Sequence, residues 1–111
     1  MQGKTKAWVK IAYEIRQKIE NLKIRELLSF SISGQKICMV IVENELFAFS
    51  DYCPHGGANL SLGSCNLKGI ISCPKHGYKF DCKTGKDMDN NGYHLKRFQI
   101  DKRGEDFWIL L

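Results

Sequence analysis

Two short stretches of this chain can do chemistry: Cys53-Pro54-His55-Gly56-Gly57 and Cys73-Pro74-Lys75-His76-Gly77. Each offers one thiolate and one imidazole, and seventeen residues lie between His55 and Cys73. The only two prolines, Pro54 and Pro74, directly follow the two cysteines. Proline fixes φ, so both donor pairs sit in turns stiffened at the same point. Two thiolates and two imidazoles make a metal donor set, and two kinds of centre compete for it. One is a closed tetrahedral zinc that would only hold the fold together; its usual spacings pair Cys with Cys and His with His, which these do not. The other is a binuclear iron–sulfur centre that divides two cysteines and two histidines between two irons. A Cys–His nucleophile would leave the second pair without a role.

The elements that must position these donors read as strands. Residues 6–12 alternate well enough for a first strand. Between 13 and 28, Ile15, Ile19 and Leu22 fall at i, i+4 and i+7, which suits a short amphipathic helix or an irregular connection. Strands are predicted over 29–33, 35–42 and 45–49, turning at Gly34 and at Glu43-Asn44, and the last of them runs into the first donor stretch. Between the stretches, 62–66 and 69–72 read as strands around a turn at Leu67-Lys68. Further strands over 78–81, 96–100 and 107–110 follow, with turns at Lys83-Thr84-Gly85 and over 101–105. Many short strands with closely spaced turn residues indicate an antiparallel all-β domain, with both donor stretches in loops at strand ends.

At 111 residues the chain is expected to be one domain. The longest apolar run, Ile37-Cys38-Met39-Val40-Ile41-Val42, is far short of the roughly 20 residues of a membrane span. The start, Met1 to Trp8, shows no apolar export segment and no twin arginine, so a cytoplasmic, membrane-independent protein is expected. Five cysteines are an odd number, which argues against a disulfide framework. Cys38 reads as a core residue, and Cys65 and Cys82 as half-buried strand residues. The net charge of +5 is spread along the chain without aromatic–basic interleaving. No nucleic-acid partner is therefore expected, although the basic surface could steer docking to an acidic one. His94 reads as a surface or strand residue, and Trp8, Trp108 and Phe30, Phe47, Phe49, Phe98 and Phe107 as core packing. The polar stretch 87–92 lacks the alternating acids and terminal glutamate of a calcium loop.

The two donor stretches match the Rieske pattern Cys-x-His-(x)17-Cys-x-x-His, with Gly57 and Leu60 after the first pair and Gly77 and Phe80 after the second. The likeness extends to Trp8-Val9-Lys10-Ile11, Glu45-Leu46-Phe47-Ala48-Phe49, Phe80-Asp81 and Thr84-Gly85. Nearly the whole chain resembles the small soluble Rieske-type [2Fe–2S] ferredoxins. That resemblance implies stacked antiparallel sheets with one [2Fe–2S] cluster at the tip of a small subdomain, here about 53–85 within the single domain 1–111. It implies that Cys53 and Cys73 hold the inner iron and that His55 and His76 hold the outer iron through Nδ1. High-potential members join their loops by a disulfide at positions that are Ala58 and Lys75 here, and carry a cluster-bonding serine where Tyr78 stands. Fewer bonds to the cluster sulfurs imply the low end of the range, roughly −150 mV.

The resemblance implies a monomeric one-electron carrier without a substrate site of its own, not an enzyme. Its donor would be a flavin reductase and its acceptor a terminal oxygenase or another reductase. Two other roles stay open: a small Rieske subunit of a larger reductase such as nitrite reductase, and a zinc-stabilised interaction module.

Overall fold

The structure is a computed structural model describing residues 5–111, so the first four residues of the start read above lie outside the described residues. It is built almost entirely from antiparallel strands, as the sequence predicts. A three-stranded sheet has the order β1 (Trp8–Lys10), β10 (Asp106–Leu110), β9 (Ile100–Arg103). A four-stranded sheet runs β2 (Leu28–Ile32), β3 (Gln35–Val42), β4 (Glu45–Ser50), β8 (Arg97–Phe98). The third sheet, β5 (Ser64–Cys65), β6 (Ile70–Ser72) and β7 (Lys79–Asp81), lies between and beside the donor loops. The ambiguous stretch after β1 forms the helix α1 (Tyr13–Glu20), which buries Ile19.

β3 is apolar at almost every position because both of its faces are covered. Strand alternation sends Cys38, Val40 and Val42 toward one cluster of buried residues, with Phe47 and Phe49 of β4. Ile37 and Met39 face the opposite cluster, with Ala48, Phe98 and Ile109. The first cluster also contains Cys53 and Cys73, so the donor loops are rooted in the same packed core as the central strands. The two hairpins of this sheet turn on Ser33-Gly34 and Glu43-Asn44, all four at positive φ, as a two-residue type I′ turn requires.

Five details depart from the sequence reading. The stretch 96–100 is not one strand: it breaks at Gln99, leaving β8 on the central sheet and β9 on the first sheet. β9 continues to Arg103, so the predicted turn over 101–105 shrinks to Gly104-Glu105. The stretch 62–66 keeps strand only at Ser64–Cys65, after a 3₁₀ turn over Leu60–Leu62. Cys65 and Cys82 are buried with Cys38 instead of half-buried. Burial pushes all three thiols up, Cys82 to about 12, and so keeps them protonated and inert at neutral pH. Trp8 and Trp108 are only partly buried; they face the Arg103 guanidinium at 5.3 and 4.6 Å.

Candidate metal centre

Both donor stretches fold into the same turn. In the first, loop 1, the Cys53 carbonyl accepts the Gly57 N–H (2.8 Å) while the Cys53 N–H donates to the Ala58 carbonyl (2.8 Å). In the second, loop 2, the Cys73 carbonyl accepts from Gly77 (3.1 Å) and the Cys73 N–H donates to Tyr78 (2.7 Å). Gly57 and Gly77 sit at φ +73° and +72°, a left-handed conformation that glycine adopts without penalty. The structural partner of Gly77 is thus Gly57, two residues after His55, and not the adjacent Gly56.

The turns deliver sulfur inward and nitrogen outward. Cys53 and Cys73 are 2% and 3% exposed, whereas His55 is half-buried and His76 exposed. The imidazole centroids are 5.6 Å apart. Burial pushes the Cys73 thiol up; the Lys75 backbone N–H opposes this, and the neighbouring Cys53 thiol adds to the rise. Two thiols buried side by side are a poor arrangement for free cysteines and a fitting one for a bound cation. Among the described residues, no three His, Cys, Asp or Glu side chains converge on a single ion position. A tetrahedral zinc needs all four donors on one ion, whereas a binuclear cluster takes two on each metal. The donor set fits the binuclear centre.

Side chains outside the motif hold the loops. Asp51, fully buried just before loop 1, accepts the Ser29 hydroxyl (3.0 Å), the Ser61 N–H (2.7 Å) and the Ser61 hydroxyl (2.9 Å). It thereby joins β2 to the turn that leaves loop 1. Loop 2 is backed by a third loop over 82–96, where the Met88 N–H donates to the Lys79 carbonyl (2.9 Å). Within that loop buried Asp87 accepts the N–H groups of Asp89 and Asn91, both at 2.9 Å. The polar stretch 87–92 is therefore a turn closed on its own carboxylate. Tyr93, at its end, stands edge-on to the His55 ring at 5.3 Å, and Tyr78 stacks on that ring at 3.8 Å. Sequence reasoning singled out Tyr78 only as a substitution for serine, and it missed Asp51, Asp87 and Tyr93. No local signal marks Asp51 and Tyr93, whose partners are distant in the chain, whereas Asp87 bonds N–H groups two and four residues on and is a local turn-forming aspartate. His94 is exposed beside Tyr93 and pairs through its backbone with Lys86, outside the donor set.

The family model described as Rieske [2Fe-2S] domain matches residues 12–99, and the chain belongs to that family. Such a domain carries one Rieske-type [2Fe–2S] cluster. The chain is 30% identical over 95 residues to cholesterol 7-desaturase of Bombyx mori, covering 79% of this chain and 21% of that protein. It is 36% identical over 64 residues to the ferredoxin component of the naphthalene 1,2-dioxygenase system of Pseudomonas putida, covering 57% and 60%. The matched stretches thus span less than two thirds of these curated relatives. Among solved structures, the ferredoxin of carbazole 1,9a-dioxygenase from Nocardioides aromaticivorans superposes with TM-score 0.75 at 22% identity, covering 92% and 95% of the two chains. A Mycobacterium tuberculosis chain described as an NADH-dependent nitrite reductase small subunit gives TM-score 0.78 at 12% identity, with 97% of each covered. These two likenesses show the fold.

Proposed function

We propose that this chain is a one-electron carrier, with Cys53 and Cys73 holding the inner iron of its [2Fe–2S] cluster and His55 and His76 the outer iron. The observation that carries this is the segregation of donors: matched turns bury both cysteines in the core and leave one imidazole half-buried and the other exposed. When bound, the cluster supplies one reversible electron at a potential tuned by its ligands and surroundings. The chain's own contribution is to fix the two cysteines by paired backbone hydrogen bonds and to exclude water from them. It also presents the imidazole pair where a partner protein can approach within electron-transfer distance.

A flavin reductase is the proposed donor and a terminal oxygenase or similar reductase the proposed acceptor. Similarity to a dioxygenase ferredoxin component supports this over a domain with a substrate site of its own. The five unpaired cysteines suit a reducing, cytoplasmic setting. No described helix is long and apolar enough to cross a membrane. Ala58 and Lys75 rule out a loop disulfide, which favours a potential at the low end of the Rieske range, roughly −150 mV.

Anaerobic purification followed by absorption and EPR spectroscopy tests the reading. A red-brown protein that is EPR-silent when oxidised, and gives a rhombic signal of low average g after dithionite, is the expected result. A colourless protein holding one zinc would overturn it. Reduction by NAD(P)H through a ferredoxin reductase then separates a free carrier from a fixed subunit of a larger reductase.

A further inference from the structure

The two histidines of the tip are held by different means. His76 is exposed, and its ring meets the His55 ring at a 53° tilt. His55 is half-buried, and the ring of Tyr78 lies almost flat on it, 3.8 Å away at 24°. Tyr93 stands edge-on to both, at 5.3 Å from His55 and 5.9 Å from Tyr78. These three rings come from three different segments: loop 1, the exit of loop 2, and the third loop. No covalent link joins loop 1 to loop 2, because all five cysteines are free.

We propose that Tyr78 and Tyr93 are positioning residues that clamp the His55 imidazole and tie the three loops together, so that aromatic packing supplies the rigidity a cross-loop bond would give. The proposal rests on His55 being a cluster ligand. An unrestrained imidazole turns broadly about its terminal torsion. A ring stacked on its face blocks that motion, and a second ring at its edge closes the remaining side. Each clamp residue is itself fixed. The Tyr78 carbonyl accepts the Cys73 N–H at 2.7 Å, and its side chain packs on the buried cluster that contains both cysteines. Tyr93 is presented by the turn closed on Asp87, with Leu95 fully buried two residues later. A ligand whose rotamer is locked before the metal arrives loses little freedom on binding and leaves the metal more slowly. Among the described residues His76 has no comparable stack, so the clamp makes the two nitrogen ligands unequal: His55 is the anchored one.

The test uses the holoprotein and the variants Tyr78→Ser, Tyr78→Phe, Tyr93→Ala and Tyr52→Ala. Tyr52 is exposed beside Cys53 and serves as the control. The first readout is the rate at which an iron chelator bleaches the visible absorption. Tyr78→Ser is expected to bleach roughly three- to tenfold faster, from the worth of one aromatic pair. Tyr93→Ala should fall between, while Tyr78→Phe and Tyr52→Ala keep the parent rate. The reduced EPR signal of Tyr78→Ser should broaden as the His55 orientation spreads, a change that mere loss of stability would not produce.

The second readout needs no variant and is taken on cluster-free parent protein whose dispersed amide spectrum shows its loops folded. In the cluster-free parent protein, ring protons of His55 should resonate upfield of those of His76 and His94, shifted by the Tyr78 ring. Unshifted His55 signals, or a parent-like bleaching rate in Tyr78→Ser, would overturn the clamp. A parent protein that takes up no iron–sulfur cluster, with the upfield shift present, would instead overturn the carrier reading. It would also reduce Tyr78 to a fold contact, which overturns its positioning role.

Discussion

In loop 1 the Gly57 N–H closes onto the Cys53 carbonyl at 2.8 Å, and in loop 2 the Gly77 N–H closes onto Cys73 at 3.1 Å. Counted from the cysteine, however, the histidine is the third residue of the first turn and the fourth of the second. One backbone turn therefore carries its imidazole at two different corners, and among the described residues only His55 meets a stacked ring. The supports beneath the turns differ as well. Loop 1 stands on the buried Asp51 carboxylate, and loop 2 leans on the third loop through Met88 and Lys79. Backbone hydrogen bonds thus set the sulfurs alike in both loops, while neighbours that differ between the loops set the nitrogens.

If the sulfurs are equivalent, Cys53→Ala and Cys73→Ala should be equally severe. Each is expected to abolish the visible absorption of the purified protein, and a coloured variant of either kind would break the symmetry. The supports should separate the loops. Asp51→Ala strands the Ser29 and Ser61 donors and is expected to cost about 3 kcal/mol in urea unfolding, since hydrogen bonds to a charged acceptor are the stronger kind. A loss below about 1 kcal/mol would mean that loop 1 does not stand on this carboxylate.

A smaller pair of effects tests the turn itself. Gly57→Ala and Gly77→Ala place a Cβ in open space but at φ near +73° and +72°, so only the left-handed strain of about 1–2 kcal/mol is expected from each. Matching losses support one shared turn; losses differing more than twofold would show that the two turns carry different strain.

The smallest effect concerns the core under both loops. The Cys82 thiol ionises near 9 when free and is pushed up to about 12 by burial, with Cys65 and Asp81 adding to the rise. Above pH 9 the folded chain then holds a proton that the unfolded chain releases. The stabilisation is complete below pH 9 and declines as pH rises toward 12. Denaturation midpoints measured at about pH 8 and pH 10 should fall less in Cys82→Ala than in the parent chain. An equal fall in both would remove Cys82 from the account.

The central strands were legible because both of their faces are buried: in an antiparallel domain an unbroken apolar run such as Ile37–Val42 is stable only as a strand covered on both sides. The two Cys–His loops were legible because the Rieske pattern restricts residue type and spacing at close range. Gln99 was not, since a break between two sheets leaves no mark in a stretch that alternates as one strand. Burial of Cys65 and Cys82 was also missed, because small side chains carry weak periodicity signals while their exposure depends on what packs over them.

What the sequence determined by itself was the family motif, its division into two turns, and the all-β frame that carries them. All three follow from interactions between residues close in the chain: proline and glycine torsions, strand alternation and ligand spacing. What only the tertiary structure decided was the inward sulfurs and outward nitrogens, the Asp51 support, and the Tyr78–His55–Tyr93 packing. Those depend on where the central sheet and the third loop come to rest, and a contact between segments far apart in the chain has no local pattern to announce it.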